Sequence, residues 1–503
     1  MRPSAASSAP HPARPDADIP TAEVLIIGTG FGGIGMAIRL QQAGIQDVVL
    51  LERGDDVGGC WRDNSYPGAA CDVPSHLYSF SFEPKSDWSR RYAPQAEILG
   101  YLRSCADKHG LRPRIHTGQE VSELRWDDAA GLWQATTRAG SRWRARFVVT
   151  ACGQLSRPLI PRIAGQDSFA GPQFHSATWR HDVDLAGKHI AVIGTGASAI
   201  QFIPQIARNA ARVTVFQRTP PYVIPKKDRP YADWEKRLFA RVPGARLATR
   251  AWLYLSHEWR ALAFTRYPGL LKVAQWDALR RLRTQVADPA LRRQLTPDYP
   301  IGCKRVLLSN DFYPALQQPN VEVVAQPISG ITPAGVQTAD GRLHAADVLI
   351  YGTGFAATDF LTPMAVHGRH GHELNTDWKD GAEAFLGISV PGYPNFFMLY
   401  GPNTNLGHSS IVYMLESQIA HVLHCLRRVR QAQARAIEVR PDAHRAFNDA
   451  VQRGVRRTVW AGGCRSWYLT ASGRNTVNWP GFTFVYRRLA RRVDGADYRL
   501  APA

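Results

Sequence analysis

Two short runs of apolar, mostly β-branched residues frame this chain: Val24-Leu25-Ile26-Ile27 and Ile190-Ala191-Val192-Ile193. Each is too short for a helix and ends at a glycine, which predicts a strand buried on both faces. Behind each glycine the apolar positions change to helical spacing. Residues 22–60 therefore predict strand, helix, strand, and a second such unit starts at His189. Residues 146–153 and 347–355 both read as a strand closing in a glycine turn. They mark where the chain leaves one domain and where it returns, with Pro158 and Pro161 as a hinge. Residues 234–293 keep helical spacing and are rich in Leu, Ala, Arg and Trp, which predicts a helical excursion with Trp252, Trp259 and Trp276 in its core. After Gly401-Pro402-Asn403-Thr404-Asn405 a helix is expected from Ser409 as N-cap, with Ile411, Val412, Leu415, Ile419, Val422, Leu423 and Leu426 on its apolar face.

The glycines carry the first chemistry. Gly28-Thr29-Gly30-Phe31-Gly32-Gly33 and Gly194-Thr195-Gly196-Ala197-Ser198-Ala199 each sit between a strand and a helix, the context in which this pattern binds a dinucleotide. Glycines allow the tight turn and let backbone N–H groups reach a pyrophosphate at the helix N-terminus. Twenty-four residues past the first glycine stands Glu52 in one copy and Arg218 in the other. A carboxylate accepts hydrogen bonds from a free ribose 2′-OH and repels a 2′-phosphate; arginine does the reverse. The first site, with Gly28, Gly30, Gly33 and Glu52, therefore suits an unphosphorylated adenosine ribose, as in FAD or NAD. The second, with Gly194, Gly196, Ser198 and Arg218, suits NADP. One chain holding both points to electrons passing from NADPH to a bound flavin. The fold class expected is α/β, with two Rossmann-type dinucleotide-binding domains, the NADP domain inserted in the FAD domain. The expected boundaries are a disordered tail over 1–20, FAD-binding parts over 21–153 and 353–503, and the NADP-binding part over 154–352 with its helical insert at about 226–300.

Composition narrows the setting. The 503 residues are enough for two or three cored domains, and 45% apolar content is ordinary for a globular chain. No apolar run is long enough to span a membrane, and the first 20 residues lack the apolar stretch of a secretory signal. Seven scattered cysteines without a C-x-x-C suit a reducing cytosol. They argue against disulfide-reductase chemistry and against a cysteine-held metal. The net charge of +19 is concentrated over residues 226–300, with 16 Lys/Arg against 7 Asp/Glu. Such charge attracts phosphate cofactors or an anionic membrane surface. Spread rather than packed in runs, it reads mainly as solvated helix faces, leaving weak membrane association open. No nucleic-acid module is present.

Residues 58–72 match the pattern [AG]-G-x-W-x(4)-[FY]-P-[GM]-x(3)-D, and Phe169, Gly171, His175 and Trp179 follow F-x-G-x(3)-H-x(3)-W. With Phe216 to Pro220, Gly302 to Arg305 and Ser466-Trp467, this order of motifs resembles the type I Baeyer–Villiger monooxygenases over about residues 22 to 490. One departure is Arg180, where the family usually has Pro or Asp. The resemblance implies oxygenation of a ketone to an ester or lactone by way of a flavin peroxide. Arg305 would be the cation that stabilises the peroxide, and Asp72 the group that positions it. It further implies that Trp61 and Asp72 meet the flavin, that Thr219 and Lys304 join Arg218 at the 2′-phosphate, and that Trp467 closes over the nicotinamide. His175, at the domain junction in the family, is assigned to hinge and cofactor positioning. His408 and Asn403 lie before a helix whose positive end faces a reduced flavin or, equally, serve as a capping loop. A fixed cation suits the anionic peroxide because it is already oriented, and arginine stays protonated. N- or S-oxygenation by a related flavin monooxygenase, and a non-catalytic NADP-sensing flavoprotein, are the alternatives that product analysis separates.

Overall fold

The computed structural model describes residues 19–463 and 466–502. The expected tail lies outside the described residues up to residue 18, as does Cys464.

The strand Thr21–Ile27 lies inside an eight-stranded sheet, parallel to Val48–Leu51 on one side and to Arg142–Thr150 on the other. Its alternation divides two cores. Val24 and Ile26 face the helices Phe31–Gln42 and Ile411–Gln431, meeting Ile34, Ile38 and Ile419. Leu25 and Ile27 face the other layer, where Trp126 and Trp133 come from the antiparallel strands Val121–Asp127 and Leu132–Thr137. Each such fully buried aliphatic side chain contributes about 1.5–3 kcal/mol. Phe396–Met398 and Ala365–His367 return to this same sheet.

A second, five-stranded and wholly parallel sheet runs Val321–Val324, Arg212–Phe216, His189–Ile193, Val348–Tyr351, Gln173–His175. All five strands fall in sequence between Arg142–Thr150 and Ala365–His367, so the second unit interrupts the first. The two connecting segments run side by side: Leu159 N–H donates to Gly354 O at 2.9 Å, and Ala356 N–H to Arg157 O at 3.0 Å.

The excursion forms four α-helices, Asp233–Arg241, Pro243–Thr265, Leu271–Gln285 and Pro289–Gln294. It packs across both units, with Leu282, Val286 and Leu295 in the core of the second beside Val213 and Val215. Arg250 donates to the carbonyls of His76 (2.6 Å) and Ser79 (2.9 Å), and Tyr254 stacks on Tyr413 at 4.8 Å. Three expectations need correction. Trp252, Trp259 and Trp276 are not core: they are 69%, 73% and 61% exposed. The buried face of the longest helix is instead Leu253, His257, Glu258 and Ala261. The helix after residue 405 is capped by Ser410, whose Oγ accepts from Val412 N–H at 3.3 Å, and not by Ser409. Cys60, Cys71, Cys105, Cys152 and Cys425 are free thiols, but Cys303 is buried and disulfide-bonded, which the reading of scattered cysteines did not foresee.

Candidate functional site

The two glycine turns are built alike. Gly28 N–H donates to Leu51 O (2.8 Å) and Gly194 N–H to Phe216 O (2.9 Å), tying each turn to the next strand. On the other side Ala151 N–H donates to Ile27 O (2.7 Å) and Gly352 N–H to Ile193 O (2.8 Å). Gly28 and Gly194 have φ of +99° and +104°. A Cβ on Gly28 would lie 2.7 Å from Ala151 O, and one on Gly194 would lie 2.5 Å from Gly352 O. Neither of these two positions admits a side chain. Each presents bare backbone at a helix start, a cradle for a pyrophosphate.

Both turns open on one cavity of about 520 Å³. Of the residues singled out from sequence, Gly28, Gly30, Glu52, Trp61, Asp72, Gly196, Ser198, Arg305 and Trp467 line it. Gly33 and Gly194 are not part of its lining. Arg218, Thr219 and Lys304 lie outside this lining, and so do His175, Asn403 and His408.

Glu52 is 4% exposed at the cavity edge. Its Oε2 accepts from Thr29 N–H (3.0 Å) and Thr29 Oγ1 (2.7 Å); its Oε1 accepts from Gly54 N–H (2.8 Å) and pairs with Arg62 (2.9 Å). Burial works to raise its pKa, but Arg62 and these donors prevail and hold it below the ordinary carboxylate value. An anion is thus kept at the cavity edge, able to accept from a ribose hydroxyl.

Arg218 is exposed at the end of Arg212–Phe216 and has no ion-pair partner among the described residues. Lys304 lies close by, its ammonium 4.6 Å over the Tyr299 ring. Burial, then the charge of Arg218, lowers its pKa. Asp298 acts on Lys304 in the opposite sense, but the net shift is downward. Two neighbouring cations, one of them without an ion-pair partner among the described residues, fit a 2′-phosphate.

Between the turns, Arg305 and Asp72 form an ion pair that projects into the cavity, their side chains 36% and 32% exposed. The Asp72 charge raises the arginine pKa further, against burial. Burial pushes Asp72 up, but Arg305 outweighs it and leaves the carboxyl below its ordinary value. Both stay charged at neutral pH. Around them stand phenols that burial keeps protonated: Tyr66 and Tyr468 are pushed up to about 12 and Tyr400 higher still. Tyr400 donates to Asn405 Oδ1 at 2.6 Å. Ser409, Ile411 and Leu415 also line the cavity, so the positive end of the long helix faces it.

Gln201 and Glu258 escaped the sequence reading. Gln201, on the helix Ala199–Ile206, accepts from Tyr66 OH (3.0 Å) and donates to Ala70 O (3.0 Å), bridging the two units. No motif marks it; Tyr66 was visible as the motif aromatic, without a role. His408 is not at the cavity. Its Nε2 lies 3.4 Å from buried Glu258, which also accepts Thr483 N–H at 2.7 Å, so it braces the excursion. Asn403 donates to the carbonyls of Asn475 (2.9 Å) and Asn478 (3.1 Å), a loop-holding role. His175 is buried against Phe355 at the returning segment, and burial lowers its pKa to about 4, so its ring is neutral.

Residues 25–232 match the pyridine nucleotide-disulphide oxidoreductase family. The cysteine pair of the disulfide chemistry in that description is absent, since the chain has no C-x-x-C or C-x-x-x-x-C. Over 95% of its length the chain is 46% identical to a Baeyer-Villiger monooxygenase of Pseudomonas aeruginosa, covering 91% of that protein. It is 48% identical to a Baeyer-Villiger monooxygenase of Streptomyces coelicolor, covering 95% of this chain and 93% of the relative. A solved structure of OTEMO in complex with FAD and NADP superposes with a TM-score of 0.86 at 28% identity, covering 96% of this chain and all of that one.

Proposed function

From the premise that the chain belongs to the Baeyer–Villiger monooxygenases, we propose a residue-level account of how its cavity serves that reaction. The protein is an FAD- and NADPH-dependent monooxygenase that inserts one oxygen atom of O2 beside a ketone carbonyl, giving an ester or lactone. When bound, FAD and NADPH supply the hydride and activate the oxygen; the chain supplies binding, orientation and charge. Gly28, Gly30, Gly33 and Glu52 hold the FAD adenosine end, and Trp61 and Asp72 meet the flavin. Gly194, Gly196, Ser198, Arg218, Thr219 and Lys304 hold NADPH, and Trp467 closes the nicotinamide side. The proposed boundaries are 21–153 and 353–503 for the FAD part and 154–352 for the NADP part.

Arg305 is the catalytic cation. It is fixed by Asp72 before reaction begins, so it stabilises negative charge in the cavity without reorganising. The buried phenols of Tyr66, Tyr400 and Tyr468 stay protonated and add no competing anion. The single observation that supports this most is the Arg305–Asp72 pair standing in the cavity that both glycine turns share. The substrates are a small ketone and O2. The cytoplasm is the proposed compartment; among the described residues no helix is long and apolar enough to cross a membrane.

The test is a panel of cyclic, aromatic and steroid ketones, with an amine and a sulfide beside them. Oxygen-dependent NADPH consumption should track ester or lactone formation, scored by product mass. Products confined to the amine or sulfide would overturn the ketone assignment.

A further inference from the structure

Among the described residues, eleven of the seventeen exposed large apolar side chains fall between Trp234 and Trp276. They are ordered. Trp252, Leu255 and Trp259 follow at spacings of three and four along Pro243–Thr265, exposed by 61–73%, opposite the face that buries Leu253, His257 and Ala261. This helix is apolar on two sides, and only one side is covered. In the next long helix, Val273 and Trp276 repeat an exposed stripe one turn apart. Exposed apolar surface of this extent on one element marks an interaction site.

Charge identifies the partner. Residues 236–276 contain eight Lys/Arg and a single acid, Glu258, which is buried. Arg237, Arg241, Arg260, Arg266 and Lys272 are exposed with the tryptophans. A two-fold contact between identical copies would set this basic surface against itself. A surface that is apolar and anionic together complements it. Tryptophan prefers the headgroup level of a bilayer, and basic side chains prefer lipid phosphates.

We propose that the helical excursion is a peripheral membrane-docking surface that lies on an anionic bilayer, its tryptophans among the headgroups and its arginines on lipid phosphates. This goes beyond the oxygenation reaction and does not depend on how the cavity works.

Co-sedimentation of the full chain with lipid vesicles tests it. Vesicles of phosphatidylcholine with about 30% phosphatidylglycerol should bind the protein roughly tenfold or more tightly than phosphatidylcholine alone, and added salt should weaken that binding. Trp252→Ser with Trp259→Ser, and separately Arg260→Glu with Arg266→Glu, should each reduce binding about tenfold or more while leaving ketone oxygenation in free solution unchanged. Retained oxygenation reports that these variants fold. Failure of the wild type to sediment with anionic vesicles would overturn the proposal, as would equal sedimentation of wild type and variants. A wild-type dimer that the tryptophan variant dissolves, with neither protein binding vesicles, would assign the surface to a second copy and overturn it too.

Discussion

Arg218→Ala should separate the two coenzymes. Arg218 is exposed, and its neighbour Lys304 carries a like charge. Arg218 has no ion-pair partner among the described residues, so a 2′-phosphate displaces no carboxylate from it; Asp298 acts on Lys304 alone. A charge-assisted hydrogen bond contributes about 1.5–3 kcal/mol. Exposure puts Arg218 at the low end, about 1.5 kcal/mol, or roughly tenfold in Kd for NADPH. NADH lacks the 2′-phosphate, so its Kd should change by less than about twofold. The contact is solvent-exposed, so the NADPH penalty should shrink as salt rises from about 0.01 to 1 M and the Debye length falls. Fluorescence titration of the FAD-loaded protein with each coenzyme, at low and high salt, measures all three. Equal losses for NADPH and NADH would refute the reasoning and show that Arg218 does not read the phosphate.

Asp72→Asn should lower stability at pH 7 by about 1–2 kcal/mol, the discounted end of a broken ion pair because a third of each side chain is exposed. The folded carboxyl pKa lies below its ordinary value, so the pair stabilises the fold above the unfolded pKa near 3.8 and loses that effect as pH falls through the folded pKa. Denaturant unfolding should therefore show the gap between wild type and variant start to shrink as pH falls below 3.8 and close only below the lower, folded pKa; a gap that stays constant through that fall would contradict the assignment. Glu258→Ala should cost about 3 kcal/mol, because it leaves the buried Thr483 N–H and His408 Nε2 without their acceptor. Thermal unfolding reads this, and an unchanged Tm would show that the excursion is held by other contacts.

What the sequence made legible was mostly local. The strand before Gly28, the positive φ of that glycine and the helix behind it are set by neighbours a few residues apart, and so is the matching arrangement at Gly194. The sign of the residue 24 positions on is equally readable, because a parallel strand–helix–strand unit brings it back beside its own turn. Contacts between distant residues were not readable from pattern. Arg305 and Asp72 are 233 residues apart, and only their resemblance to family motifs brought them together. Gln201 reaches Tyr66 across 135 residues, and Glu258 reaches His408 across 150, with no motif to announce either. Trp252 and Trp259 show the remaining limit. Helical spacing says that residues share a face, but not whether another element covers it. The Ser409 expectation missed by one residue because adjacent serines offer the same capping oxygen.

The central claim is that Arg305 supplies the fixed positive charge for oxygen insertion. Its most direct test is ester formed per NADPH oxidised by Arg305→Ala, at flavin content matched to wild type. Lys304 is not expected to substitute, since its ammonium lies over Tyr299 and lacks the guanidinium fork. Loss of a preorganised charge of this kind is worth roughly 100- to 1,000-fold in rate. The account predicts that ester formation falls by that much while FAD still binds, with NADPH oxidation uncoupled from product. Ester formed at the wild-type rate by Arg305→Ala would contradict it and leave Arg305 a structural partner of Asp72.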